Sequence, residues 1–528
     1  MGGMFDVLIK DGRIIDGTGN PWFESDVAIE GSRIAAIGKL GSSAKRIINA
    51  EGLAVAPGFI DTHSHSDLML MVQPHAKQKI MQGITTEIVG QDGLGEAPLR
   101  DDVVDDWRKY LAGLNGDPDI KWSWRTFSEY LGALESARPS INVASLVGHG
   151  NIRLLAMGME NRAPSTSEIK KMRTLVDGAM EQGAFGLSTG LIYAPCVYAN
   201  TDELVELCRT ASNHRGIFVV HMRNEGDQLL ESIDEVVTIG KKSGIPVHIS
   251  HFKTSGKQNW GRADLALESV SKARSDGVDV TFDQYPYTAG STFLSSLLPS
   301  WVHDGGSVEM IRRLRDDETR AKIRSEMTDS RGAETGWDAV YVTSVKNEAN
   351  RQFEGRTVQE IADKRGQTPI DVVMDLIIEE ENAATMVGFS MSEDDVRTIM
   401  RSPFQMVCTD GIVLGKPHPR AYGSFPRVLG LYVREGVVRL EEAVRKMTSL
   451  PAQRFSLSGR GLIRPGMFAD ITIFDTKTVV DKATYSDPIQ FPEGIEYVIV
   501  NGQITVKDGV HVGTRAGTVL RHKSPEKP

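Results

Sequence analysis

Two histidines spaced i, i+2, His63 and His65, stand in the stretch Pro57-Gly58-Phe59-Ile60-Asp61-Thr62-His63-Ser64-His65-Ser66-Asp67. The apolar run Leu53 to Ile60 leads into them, and in an extended strand this spacing turns both imidazoles to one side. Two neutral imidazoles side by side make half of a metal site. Alone, such a pair is equally compatible with hydrogen bonding in a polar rim. The rest of the chain supplies a candidate other half. Ile217-Phe218-Val219-Val220 ends in His221, Val247-His248-Ile249-Ser250 in His251, and Gln405-Met406-Val407-Cys408-Thr409 in Asp410, while Ile88-Val89-Gly90 leads into Gln91-Asp92-Gly93. Taken singly these are caps and turns. Ionisable groups at so many separate strand ends are the arrangement in which a β/α barrel carries chemistry. Imidazoles with carboxylates suit Zn²⁺ and related divalent ions, and an open coordination position would hold a water of lowered pKa.

The middle of the chain alternates strand and helix patterns. Strand candidates are Thr85–Val89, Asn142–Val147, Gly186–Ser188, Ile217–Val220, Pro246–Ser250, Val278–Phe282 and Gln405–Cys408, with the run through Ile60 as the first. Helical periodicity covers 167–182, 202–214, 227–243, 262–276, 357–365 and 440–448. About eight strands is what a barrel needs. A charged, helix-leaning insert at 294–356 interrupts the alternation and has the length of a lid. Both ends are strand-rich. Residues 5–57 read as short strands broken at Asp11-Gly12, Asp16-Gly17 and Glu30-Gly31, and Glu496–Val500, Asn501-Gly502 and Gln503–Val506 read as a hairpin. The expected division is a β domain from 1–57 plus 459–528 around a barrel at 58–458, with one β module at each end as the alternative. From Thr514 the chain reads as a polar tail.

Bulk properties narrow the field. The 528 residues carry a net charge of −10 and scattered basic residues, which argues against nucleic acid or an anionic membrane as partner. No apolar run approaches the roughly 18 residues of a membrane span, and the N-terminus has no signal-peptide pattern. Three cysteines, Cys196, Cys208 and Cys408, form no CxxC pair and fit a reducing compartment, so a cytoplasmic location is expected.

The spacing as a whole resembles the amidohydrolase superfamily and, within it, the N-acyl-D-amino-acid deacylases. The matching stretches are Pro57–Asp67, Gly83–Thr86, Gly183–Tyr193, Val220–Glu225, Ile249–Lys253, Asp283–Ser291, Thr409-Asp410-Gly411 and Gly461–Asp470, within a likeness covering about residues 5 to 510. The resemblance implies a distorted (β/α)8 TIM-like barrel with a small β-sandwich built from both termini. It also implies hydrolysis of the amide bond of a small-molecule N-acyl-D-amino acid by a metal-held water. His221 and His251 would hold the principal ion, with His63, His65 and Asp410 around a second position. Asp410 would act as general base and then acid, and Tyr193, Lys253, Tyr285 and Ser291 would lie near the substrate carboxylate.

One departure stands out. The family usually places a cysteine where this chain has Asp92. A carboxylate is a harder donor that can bridge ions, so one or two Zn²⁺, or Mn²⁺ or Co²⁺, become compatible. Asp92 as a turn residue outside the site is the alternative. Hydantoinases and dihydroorotases share the paired histidines but bridge two metals with a carboxylated lysine on the fourth strand, and Ala184–Gly190 has no lysine. The residues leave open hydrolysis of another amide (a dipeptide, a xenobiotic or a cyclic amide), a catalytically silent relative, and a homo-oligomeric state.

Overall fold

Parallel strands hydrogen-bonded in barrel order are the frame on which everything else is mounted. The structure, a computed structural model, describes residues 4–41, 43–328 and 336–523. The barrel strands are β1 (Phe59–Asp61), β2 (Ile84–Val89), β3 (Asn142–Ser145, continued by Val147–Gly148), β4 (Gly186–Gly190), β5 (Ile217–His221), β6 (Val247–Ile249), β7 (Val280–Gln284) and β8 (Gln405–Val407). Pairing runs β1-β2-β3 and then β3 through β8. Closure is made past the strand ends: Ser64 bridges Gly411, the Asp410 N–H donates to the His63 carbonyl at 2.9 Å, and the Thr409 N–H donates to Asp61 Oδ1 at 2.8 Å. The fold is thus a distorted (β/α)8 barrel joined to a β-sandwich. Barrel strands such as β5 are buried at every residue, as expected where helices cover a parallel sheet.

Helix starts follow local chemistry. Thr166–Glu181 and Val358–Arg365 open on capping boxes, Ser165 with Glu168 and Thr357 with Glu360. The helix expected from Asp227 begins instead at Leu229. Asn224 Oδ1 accepts from the Gly226 and Gln228 N–H groups, and Asp227 accepts from Asn259 and Gln258, which holds this segment as a loop at the barrel mouth.

Between β7 and β8 the chain leaves the barrel for a unit with its own apolar core, including Leu294, Met310, Val342 and Leu376. The expected insert spans 294–356, of which 329–335 lie outside the described residues. The observed excursion is wider because its first and last strands pair with each other: Ala289 opposes Phe389 and Phe293 opposes Thr385 in a three-stranded antiparallel sheet completed by Val340–Ser344.

The terminal strands form one nine-stranded sheet. Ala54–Pro57 pairs antiparallel with Ile471–Phe474, and Ile9, Val27 and Val55 share a core with Ile471, Ile499 and Ile504. A separate module at each end is therefore overturned. So is the turn expected at Asp11-Gly12: the strand Phe5–Ile14 runs through it with a bulge, where Asp11 (φ 55°) donates its N–H to Asp26 Oδ1 at 3.0 Å. Residues 514–523 pack beside β3, with the Val143 N–H donating to the Thr518 carbonyl and the Leu520 N–H to Val143. Residues 1–3 and 524–528 of the two ends lie outside the described residues.

The Asn501-Gly502 turn has positive φ at both residues, 46° and 79°, as a two-residue hairpin requires. A Cβ on Gly502 would also collide with the Gly31 carbonyl of the facing N-terminal turn. Gly502→Ala is expected to cost about 1 kcal/mol or more, measured by urea denaturation. Gly132→Ala, in the helix Phe127–Ala137 with open space around it, should be neutral or stabilising by up to about 1 kcal/mol.

Candidate active site

Every candidate metal-suited residue follows the C-terminal end of a barrel strand. His63 and His65 follow β1, Asp92 follows β2, His221 is the last residue of β5, and His251 and Asp410 lie just past β6 and β8. All are buried, from 0% exposed at His63 to 6% at His221 and Asp410. Three of them sit in the left-handed region: Asp92 (φ 57°), His251 (φ 36°) and Asp410 (φ 46°). Such conformations persist where the surroundings over-determine them. Here Ser188 Oγ accepts from the Gly93 N–H at 3.1 Å and donates to the Gly90 carbonyl at 2.5 Å. The His251 N–H donates to Asp283 Oδ1 at 2.5 Å.

Asp92 lies among four imidazoles. Its Oδ1 is 3.6 Å from His63 Nε2 and 3.8 Å from His251 Nε2, and its Oδ2 is 3.6 Å from His65 Nε2 and 3.9 Å from His221 Nδ1. Two sets of donors, His63–His65–Asp92 and Asp92–His221–His251, each gather within 4.8 Å, and Asp92 belongs to both. Asp92 Oδ1 and His221 Nδ1 are buried without a hydrogen-bond partner. Buried polar atoms need partners, and imidazole nitrogens converging on a carboxylate match a divalent cation. The residues fit a metal centre, and Asp92 lies among the donors that would form it.

Charge is arranged around this core. Burial pushes the Asp92 carboxyl up, but His63, His221 and His251 more than offset it and hold the group well below the usual carboxylate range. Asp410 Oδ1 lies 3.2 Å from His65 Nε2 and its Oδ2 2.9 Å from Arg420 Nη1. Burial again opposes ionisation there, and Arg420 with the neighbouring histidines reverses the balance, so Asp410 stays ionised.

Arg420 is fully buried and opens the helix Arg420–Arg427, and sequence reasoning missed it. The available signal was a cation in a first helical turn, where the macrodipole disfavours one. Glu225 was missed as a separate site residue too. Its Oε1 accepts from Lys253 Nζ at 2.6 Å and lies 3.0 Å from His251 Nδ1. A carboxylate on the far nitrogen of a ligating histidine fixes its tautomer and orientation. Glu225→Gln is therefore expected to weaken divalent-metal affinity about 10–100-fold in a chelator competition.

One cavity of about 240 Å³ is lined by His65, Asp92, His221, His251 and Asp410 together with Tyr193, Lys253, Tyr285, Ser291 and Arg420. Two cations lie near the Tyr285 ring, Arg420 Cζ 4.4 Å and Lys253 Nζ 5.8 Å from its centre. The Tyr193 hydroxyl is 2.9 Å from Thr292 Oγ1, and the Ser291 carbonyl accepts from Arg420 Nη2 at 3.0 Å. Cys196 belongs to neither donor set. It is buried beneath Gly93, where a Cβ would come within 2.7 Å of Sγ.

The model of the amidohydrolase family matches residues 46–506. The chain belongs to that family. A D-aminoacylase of Alcaligenes xylosoxydans xylosoxydans is 36% identical, over 98% of this chain and 97% of the relative. An N-acyl-D-glutamate deacylase of the same organism is 38% identical, over 98% and 96%. The crystal structure of an N-acyl-D-glutamate deacylase from Bordetella bronchiseptica, complexed with zinc and a phosphonate mimic of the tetrahedral intermediate, superposes with a TM-score of 0.84 at 36% identity, covering 98% of this chain and 100% of the other. In this amidohydrolase β4 carries no lysine, and the carboxylate shared by both donor sets comes instead from Asp92 after β2. Among the described residues no helix is long and apolar enough to cross a membrane.

Proposed function

We propose that the chain is a metal-dependent deacylase that hydrolyses N-acyl-D-amino acids to a carboxylic acid and a D-amino acid. The observation that carries this reading is the placement of Asp410 between His65 and Arg420, at the edge of the Asp92-centred histidine cluster and in one cavity with Lys253 and Tyr285. His221, His251 and Asp92 would hold the principal ion, and His63, His65, Asp92 and Asp410 a second. Zinc is the first expectation, with Mn²⁺ or Co²⁺ compatible with a carboxylate donor. A bound cation would lower the pKa of water and polarise the scissile carbonyl.

The protein's own residues do the rest. Asp410 takes a proton from the attacking water and delivers it to the amide nitrogen as the C–N bond breaks, so that the amine leaves neutral. Arg420 keeps that carboxylate ionised until it is needed. Lys253 and Arg420, both near Tyr285, give the substrate carboxylate its charge complement, while the Tyr193, Tyr285 and Ser291 hydroxyls offer directed hydrogen bonds. Orienting carboxylate and amide together fixes which enantiomer presents its carbonyl to the metal-suited donors. Incubating the metal-loaded protein with N-acetyl-D- and N-acetyl-L-amino acids tests this: turnover of the D forms is expected. Equal rates on L forms, or none on any D form with any divalent metal, would contradict it.

A further inference from the structure

The cavity is also lined by the apolar side chains of Leu114, Ile192, Leu297, Val340 and Met386. Leu297, Val340 and Met386 come from the excursion between β7 and β8, Leu114 from the helix Val104–Asn115, and Ile192 from the turn after β4. That excursion therefore supplies part of the cavity's apolar lining.

Three lysine or arginine side chains line the cavity, Arg223, Lys253 and Arg420. Arg223 binds both oxygens of Glu235 at 3.0 Å each and donates to the carbonyls of Val197 and Ala199. Lys253 pairs with Glu225 at 2.6 Å and Arg420 with Asp410 at 2.9 Å, and both cations lie near the Tyr285 ring. The one carboxylate common to every substrate takes that position. With Lys253 and Arg420 given to that carboxylate, the remaining lysine or arginine among the lining residues is Arg223, already paired with Glu235, and a second carboxylate would also meet Glu225 and Asp227. Removing a carboxylate from water without a partner is strongly unfavourable, whereas an apolar side chain gains from contact with the apolar lining.

Resting on the deacylase reading, we infer that the substrates are N-acyl-D-amino acids with apolar side chains and that those with acidic side chains are rejected. With the acyl group held constant as acetyl, kcat/KM for the D-leucine, D-methionine and D-phenylalanine derivatives is expected to exceed that for the D-glutamate and D-aspartate derivatives by about 100-fold or more. Met386→Arg should narrow that ratio by raising activity on the acidic substrates. Comparable or higher kcat/KM on acidic substrates for the unmodified enzyme would overturn this inference while leaving the deacylase reading intact. Inactivity toward every D substrate would instead sink that reading. In that event calorimetry with free D-leucine and free D-glutamate still decides the pocket: tighter D-glutamate binding overturns the inference, and tighter D-leucine binding supports it.

Discussion

Asp410→Asn is expected to lower kcat about 1,000-fold or more while the protein keeps its fold and its principal metal ion. The amide is nearly isosteric with the carboxylate, so closure of the barrel through the Asp410 N–H and the His63 carbonyl is unaffected. What the variant loses is a group that can accept a proton. Arg420, 2.9 Å from Asp410 Oδ2, loses its counter-charge but remains beside Tyr285 in the cavity, so KM should change far less than kcat. The proposed principal donors, His221, His251 and Asp92, are untouched. Metal analysis by mass spectrometry beside steady-state kinetics separates the effects. Near-normal turnover, or loss of all metal with activity, would contradict the assignment of Asp410 as proton carrier.

Asp92→Ala should have an effect as large through a different route. Asp92 is the shared member of both donor sets and the only carboxylate in Asp92–His221–His251. Its removal leaves His221 and His251 as one pair and His63 and His65 as another, with no carboxylate common to both. The expected outcome is metal content well below one ion per chain after dialysis and no measurable turnover, with the secondary structure retained in circular dichroism. Asp92→Cys is the informative partner. A thiolate is softer and presents one donor atom, so Zn²⁺ should be retained at the His221 and His251 pair while tolerance of Mn²⁺ falls. Full metal content in Asp92→Ala would return Asp92 to the role of a turn residue.

Much of this arrangement was legible in the sequence for a specific physical reason. In a β/α barrel the chemistry sits where apolar runs stop, so His63, His65, His221, His251 and Asp410 announce themselves by position. The hairpin at Asn501-Gly502 was legible because only residues tolerant of positive φ fit there. Glu225 was not legible as a separate site residue, since its role depends on a loop folding back onto His251 and Lys253. Arg420 was hidden because it lies on a helix and meets Asp410 only across a loop. The extent of the excursion depends on Ala289 pairing with Phe389, and the union of the termini on Val55 pairing with Ile473. Pairings so far apart along the chain leave no local periodicity to read. The bulge at Asp11 shows the opposite failure: an Asp-Gly signal with the conformation of a turn, used to accommodate an extra residue within a continuing strand.

The most direct test is to strip the protein with a chelator, titrate it with Zn²⁺, and follow bound metal and hydrolysis of an N-acetyl-D-amino acid in the same samples. Activity is predicted to be absent in the stripped protein, to return as the first ion per chain binds, and to leave the L enantiomer uncleaved. Full activity in the stripped protein, or a protein that binds no divalent ion after reconstitution, would contradict the proposed chemistry.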